Sequence, residues 1–248
     1  MATAAEKNKD KSYGALSEKS NFTIVEAYKA LRTNLLFALP KKEGECRKLL
    51  VTSALPGEGK TTTSVNIAIT IAQTGMRTLV IDCDLRKPRV HSKLGFANGV
   101  GLTNVLSGMS AIDKAIQKTK TEHLFAISAG TLPPNPAELL GSDEMKNVMA
   151  ELEKQFDFIV IDTSPINIVS DALVLSKLVD GVAIIVKQNK SSHPSVKDAV
   201  AKLKFAEANI IGFIINGMVV SSGKYYTSGS YKYKYKYYSY SYDDNDSK

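Results

Sequence analysis

The stretch "VTSALPGEGKTTTSVNIA", residues 51–68, carries the residue types that grip a polyphosphate. A β-rich run ends at Ser53, a turn-rich loop extends to Gly59, and Lys60, Thr61 and Thr62 open a helical pattern. Gly57 and Gly59, on either side of Glu58, let backbone N–H groups turn inward around phosphate oxygens. The N-terminus of the following helix adds positive potential. Lys60 can reach terminal phosphates, and Thr61 offers its hydroxyl to Mg²⁺. Residues 57–62 are therefore the expected nucleotide-holding run. Ala54 stands where the simplest phosphate-loop pattern has its first glycine. A glycine-rich turn capped by threonine would use similar residues, but here strand, loop and helix signals come in the order a phosphate loop needs.

Two further stretches supply carboxylates. "LVIDCDLRKP" places Asp82 and Asp84 two apart at a strand end, where a period of two would point both to one face. "FDFIVIDTSP" ends another buried run at Asp162, a position suited to a Walker B role. Ligands bind at strand C-termini in open α/β sheets. Three carboxylates held together there repel one another unless a cation sits among them. Any one of them could instead cap the next helix. ATP is the expected nucleotide, because "KQNKSS" offers Asn189 and Lys190 but no Asp two positions later, as a guanine-reading motif requires. Asn216, ending the last apolar run, is a candidate contact to the base or a turn cap.

The elements that must position these groups read as one doubly wound α/β domain with a mostly parallel sheet, spanning 46–220. "RKLLVTS", "RTLVIDC", "LFAISAG", "FDFIVID", "GVAIIVK" and "IIGFIIN" are apolar throughout rather than alternating, as expected of parallel strands buried on both faces. Helical patterns lie between them. Residues 1–20 are polar and read as a flexible arm. Residues 21–40 read as a helix, with Ile24, Ala27, Leu31 and Leu35 at helical spacing and Pro40 at its end.

The chain has 248 residues, a formal charge of +7 and 44% hydrophobic residues, an ordinary globular composition. A basic balance suits a polyphosphate ligand without requiring nucleic acid. Cys46 and Cys83 fit neither a disulfide framework nor a zinc spacing, which suggests a reducing cytoplasm. No apolar signal core opens the chain. The run "NIIGFIINGMVV" is shorter than the roughly 20 residues a spanning helix needs.

Segment 221–248 contains no Leu, Ile, Val, Met or Phe, yet holds nine of the 11 tyrosines: Tyr225, Tyr226, Tyr231, Tyr233, Tyr235, Tyr237, Tyr238, Tyr240 and Tyr242. With nothing aliphatic to pack against, these tyrosines are not core residues; by composition alone the segment could be a sticky aromatic tract, prone to aggregate or to stack on nucleic acid.

Five stretches in order, "EAYKALRTNL", "SALPGEGKTTT", "LVIDCDLRKP", "LPPNPAELLGS" and "FDFIVIDTSP", followed by the tyrosine cluster, resemble the bacterial tyrosine kinases. The likeness is to the cytoplasmic type found with Gram-positive capsule and exopolysaccharide systems, and covers nearly the whole chain. It implies a phosphate-loop fold of the MinD and ParA type, ATP and Mg²⁺ as ligands, and autophosphorylation of the tail tyrosines in trans. By the same resemblance Asp82 would be the base and Lys60 the phosphate-binding cation. Thr61, Asp84 and Asp162 would support Mg²⁺. Glu26, Lys29 and Arg32 would build a ring of eight copies. The resemblance also implies a separate transmembrane adaptor that recruits the cytoplasmic chain to the inner face of the membrane, a cognate phosphatase, and other protein substrates. Two departures matter. Lys29 replaces an arginine and cannot make a planar bidentate pair. Ser164 replaces a proline, with little effect on metal binding expected because Asp162 is kept.

Two other classes compete. A MinD- or ParA-like positioning ATPase shares the sheet, but carries a signature lysine where this chain has Leu55, and lacks a tyrosine cluster. A nucleic-acid-binding module would use the lysines and tyrosines of the tail. Neither accounts for all five stretches.

Overall fold

The computed structural model describes residues 14–41 and 43–218. Most of the expected arm and the whole tyrosine-rich segment lie outside the described residues.

Seven strands form one sheet: β1 (Arg47–Ser53), β2 (Thr78–Asp82), β3 (Gln117–Lys118), β4 (Leu124–Ile127), β5 (Phe158–Asp162), β6 (Gly181–Lys187) and β7 (Ile210–Asn216). Their order is β3-β4-β2-β5-β1-β6-β7. Every neighbouring pair is parallel except β3 with β4. Strands β2 and β5 are buried along their whole length. Alternate side chains feed opposite faces. Leu50, Ile81, Ile161 and Ile184 enter one core, and Leu49, Val51, Val80, Val160 and Ile185 the other. Each buried Val, Leu or Ile contributes roughly 1.5–3 kcal/mol, so a slip by one residue would turn both sets the wrong way.

Helices cover both faces, as the apolar runs require. On one side lie α1 (Phe22–Ala38), α2 (Lys60–Ala72) and α3 (Val90–Leu94). On the other lie α4 (Leu102–Leu106), α5 (Ile112–Ala115), α6 (Pro136–Leu140), α7 (Asp143–Leu152), α8 (Asp171–Leu175) and α9 (His193–Phe205). Helix α2 is buried almost all round, which fixes the end of the phosphate loop against the sheet.

Three details differ from the sequence reading. Strand β7 is not buried on both faces: Phe213 and Ile215 are 52% and 59% exposed, because β7 is an edge strand paired only with β6. Strand β3 has no apolar run to announce it. In α1, capped by the Asn21 side chain on Thr23 N, the expected apolar stripe is buried only at Leu35, while Ala27 is exposed. Phe22 and Phe37 on that helix are also exposed.

Candidate active site

The phosphate loop joins β1 to α2. Gly57 and Gly59 have φ of 75° and 100°, the left-handed region that an L side chain resists. A Cβ on Gly59 would collide with the Asn216 amide, which donates from Nδ2 to the Glu58 carbonyl at 2.9 Å. Asn216 thus buttresses the loop. Glu58 is fully buried and turned away from the cradle: one oxygen accepts from Leu55 N at 2.9 Å, the other from Ser191 Oγ. Its side chain fixes the loop, and only its backbone is left for a ligand. Lys60 is 7% exposed. Burial lowers its pKa, and the charges of Asp162, Asp84 and Glu58 oppose that shift.

Asp82 and Asp162 sit opposite each other in the β2–β5 register. Both are fully buried. Asp82 Oδ2 accepts from Arg89 N and Val90 N, each at 2.9 Å, at the start of α3. Burial, reinforced by the Asp162 charge, pushes Asp82 up to about 8. Burial also raises Asp162, to about 6, against the pull of Thr61, Lys60 and Ser64. The Ser64 hydroxyl donates to Asp162 Oδ1 at 3.0 Å. Thr61 is close enough to Asp162 to hold its pKa down, yet Asp162 Oδ2 is buried with no well-formed hydrogen bond. An orphaned buried carboxylate oxygen beside a threonine hydroxyl is what a divalent cation would satisfy.

Asp84 lies elsewhere than the strand period suggests. Strand β2 ends at Asp82, and Asp84 stands in the turn beyond it, its N–H donating to Asp82 Oδ1 at 3.2 Å. The sheet pairs Asp82 with Asp162, not with Asp84. Asp84 is partly exposed and accepts from Ser164 Oγ at 2.9 Å. Among the described residues no three His, Cys, Asp or Glu side chains converge as a metal cluster. The donor set fits Mg²⁺ rather than a dedicated all-protein cage, since Mg²⁺ keeps waters and takes one or two carboxylates plus substrate phosphates.

Several contacts had no signal in the sequence: the Glu58–Ser191 bond, the seat of Asn216, and the Ser164–Asp84 bond. Each joins residues distant in the chain. On α1, Glu26 pairs with Lys29 of the same helix at 2.7 Å, and Arg32 Nη1 donates to Thr70 O at 2.9 Å. Arg32 therefore ties α1 to α2 within the protomer. The nine tail tyrosines lie outside the described residues.

A phosphate loop at the C-terminal edge of a doubly wound sheet, with a carboxylate-bearing strand beside it, defines a nucleotide-binding P-loop α/β protein. A family model described as an AAA domain matches residues 47–210. The chain is 38% identical over 201 residues to the tyrosine-protein kinase YwqD of Bacillus subtilis, covering 81% of this chain and 84% of that protein. The kinase domain of Escherichia coli tyrosine kinase ETK superposes with a TM-score of 0.76 at 30% identity, covering 92% of each chain. The septum site-determining protein MinD of Pyrococcus horikoshii, solved with Mg-ADP, shares the fold at a TM-score of 0.59 and 24% identity. The chain belongs to the bacterial tyrosine-protein kinases.

Proposed function

We propose that the chain transfers the γ-phosphoryl group of ATP to tyrosine hydroxyls, acting in trans on the C-terminal cluster of a neighbouring copy and on other protein substrates. The observation that carries the reading is the orphaned Asp162 oxygen beside Thr61, at the foot of a loop whose glycines leave room for phosphates. Lys60 and the inward backbone amides of residues 57–62 hold the phosphates. Thr61, Asp162 and Asp84 hold Mg²⁺, which when bound neutralises charge on the phosphate oxygens. A phenol has a pKa near 10, so it must give up its proton as its oxygen attacks. The bond from tyrosine oxygen to γ-phosphorus forms, the bond from that phosphorus to the β–γ bridging oxygen breaks, and ADP leaves. The proton goes to Asp82.

Asp84 is the second candidate for the base. It is partly exposed, whereas Asp82 is buried with its oxygens taken by backbone amides. Asp82 would then position the turn that carries Asp84.

Among the described residues no helix is long and apolar enough to cross a membrane. The chain works in the cytoplasm, recruited to the membrane by a separate transmembrane adaptor. There it forms a ring of eight copies that regulates capsular or exopolysaccharide synthesis and is reset by a phosphatase. The tyrosine-rich tail and the likeness to tyrosine-protein kinases support this over a positioning ATPase. The test is an intact-mass spectrum after incubation with MgATP. Serial phosphate additions, lost on removal of residues 224–248, support the proposal. Nucleotide hydrolysis with no protein modification would support the positioning ATPase instead.

A further inference from the structure

Lys190, in the turn between β6 and α9, reaches over the phosphate loop. A Cβ built on Gly57 would fall 2.5 Å from Lys190 Nζ, so the ammonium lies against the bare Cα of that glycine. The turn is fastened there by its next residue, Ser191, whose hydroxyl donates to Glu58 and whose oxygen accepts from Lys187 N at 2.8 Å. Asn189 adopts a left-handed φ of 59° immediately before Lys190. Asn216 closes the other side of the loop through the Glu58 carbonyl.

Among the described residues, neither Lys190 nor Lys60 has an ion-pair partner. Two unpaired ammonium groups at one loop repel each other. An anion between them turns that repulsion into two attractions. The acidic side of the same site shows the complementary arrangement, with buried carboxylates that a cation would relieve.

We infer that Lys190 is a second phosphate-binding cation of the nucleotide site, engaging the terminal phosphates beside Gly57 while Lys60 engages them from α2. This rests on the reading that the loop holds ATP. It gives Lys190 a role in holding triphosphate, distinct from reading the base.

The test is calorimetric binding of ATP, ADP and AMP, each with Mg²⁺, to the full chain and to Lys190→Ala and Lys190→Arg. A charge-assisted contact predicts that Lys190→Ala weakens ATP about 10- to 100-fold. ADP should lose less, AMP should be nearly unchanged, and Lys190→Arg should recover most of the ATP affinity. The melting temperature without nucleotide should not fall, because the side chain bears on no core and its removal relieves the repulsion with Lys60. Unchanged ATP affinity in Lys190→Ala would overturn the inference. So would an equal loss for ATP and AMP, which would mean that Lys190 only shapes the turn. If the unaltered chain binds none of the three nucleotides, the ATP reading itself falls and the inference with it.

Discussion

Ser164 Oγ donates to Asp84 Oδ1 at 2.9 Å, joining the turn after β5 to the turn after β2. Ser164 is 2% exposed, and its own carbonyl accepts from Thr52 Oγ1 at 2.9 Å. The hydroxyl is held by β1 and β5 and in turn holds the carboxylate. A proline at this position has no donor to offer. Little influence of Ser164 on metal binding was expected because Asp162 is kept, but the bond to Asp84 predicts an effect. Ser164→Ala should raise the Mg²⁺ concentration for half-maximal activity about fivefold, the equivalent of roughly 1 kcal/mol for one hydrogen bond. An unchanged Mg²⁺ titration would reduce the bond to a brace of the turn.

The two aspartates of "LVIDCDLRKP" are separable by experiment. If Asp82 accepts the phenolic proton, Asp82→Asn should lower the rate of tyrosine phosphorylation roughly 10²-fold or more at saturating MgATP. Asn retains an oxygen for the Arg89 and Val90 amides, so the fold should survive. Under that assignment Asp84→Asn should act mainly on Mg²⁺ dependence. If Asp84→Asn loses the rate while its Mg²⁺ dependence stays normal, and Asp82→Asn does not, the base is Asp84.

Metal-free stability should depend on pH through Asp82 and Asp162. Both are held above the ordinary 3.8, at about 8 and about 6. Between 3.8 and those values the fold keeps protons that the unfolded chain has released. Their contribution to stability is therefore full below about pH 4 and is lost as pH rises through about 6 and then 8. The melting temperature without Mg²⁺ should fall over that range, and Asp82→Asn should flatten the fall. MgATP, which favours ionised carboxylates, should stabilise the chain most at the alkaline end. A slope identical in wild type and Asp82→Asn would assign the dependence to other groups.

The sheet and the phosphate loop were legible because local patterns specify them. The runs ending at Ser53, Asp82 and Asp162 are apolar on both faces and stop where carboxylates or the loop begin. Tertiary pairings were not legible. Nothing between Ser164 and Asp84 in the sequence indicates that two turns meet. Glu58 lies in the expected nucleotide-holding run, and nothing local indicates that its carboxylate is taken by Leu55 N and Ser191. Strand β3 escaped because two polar residues carry no periodicity. On α1 the helix itself was legible, but helical spacing does not say how much of a helix a neighbour covers, and of its stripe only Leu35 is buried.

Glu26 and Lys29 of α1 form a solvent-accessible ion pair within one protomer, their side chains 40% and 44% exposed, and such pairs stabilise little. That pair can exchange partners across an interface at small cost. Arg32 is different, because its bond to Thr70 O ties α1 to α2. If α1 builds the ring, Glu26→Ala should weaken assembly and trans-phosphorylation together, leaving ATP binding and melting temperature intact. Arg32→Ala should weaken assembly and also lower stability by about 1 kcal/mol. Phosphorylation should oppose the same assembly. The unmodified chain carries +7. Each phosphotyrosine adds about −1.5 to −2, so nine would bring the chain to roughly −7 to −11. Screening acts over only about 8 Å at physiological salt, so tails crowded in one ring would repel. Light scattering on phosphorylated and dephosphorylated samples, with and without the adaptor's cytoplasmic segment, should give the largest mass for the dephosphorylated, adaptor-bound chain. Equal mass in all four samples would reject the charge-driven cycle. Loss of stability in Glu26→Ala would instead show that α1 serves its own protomer first.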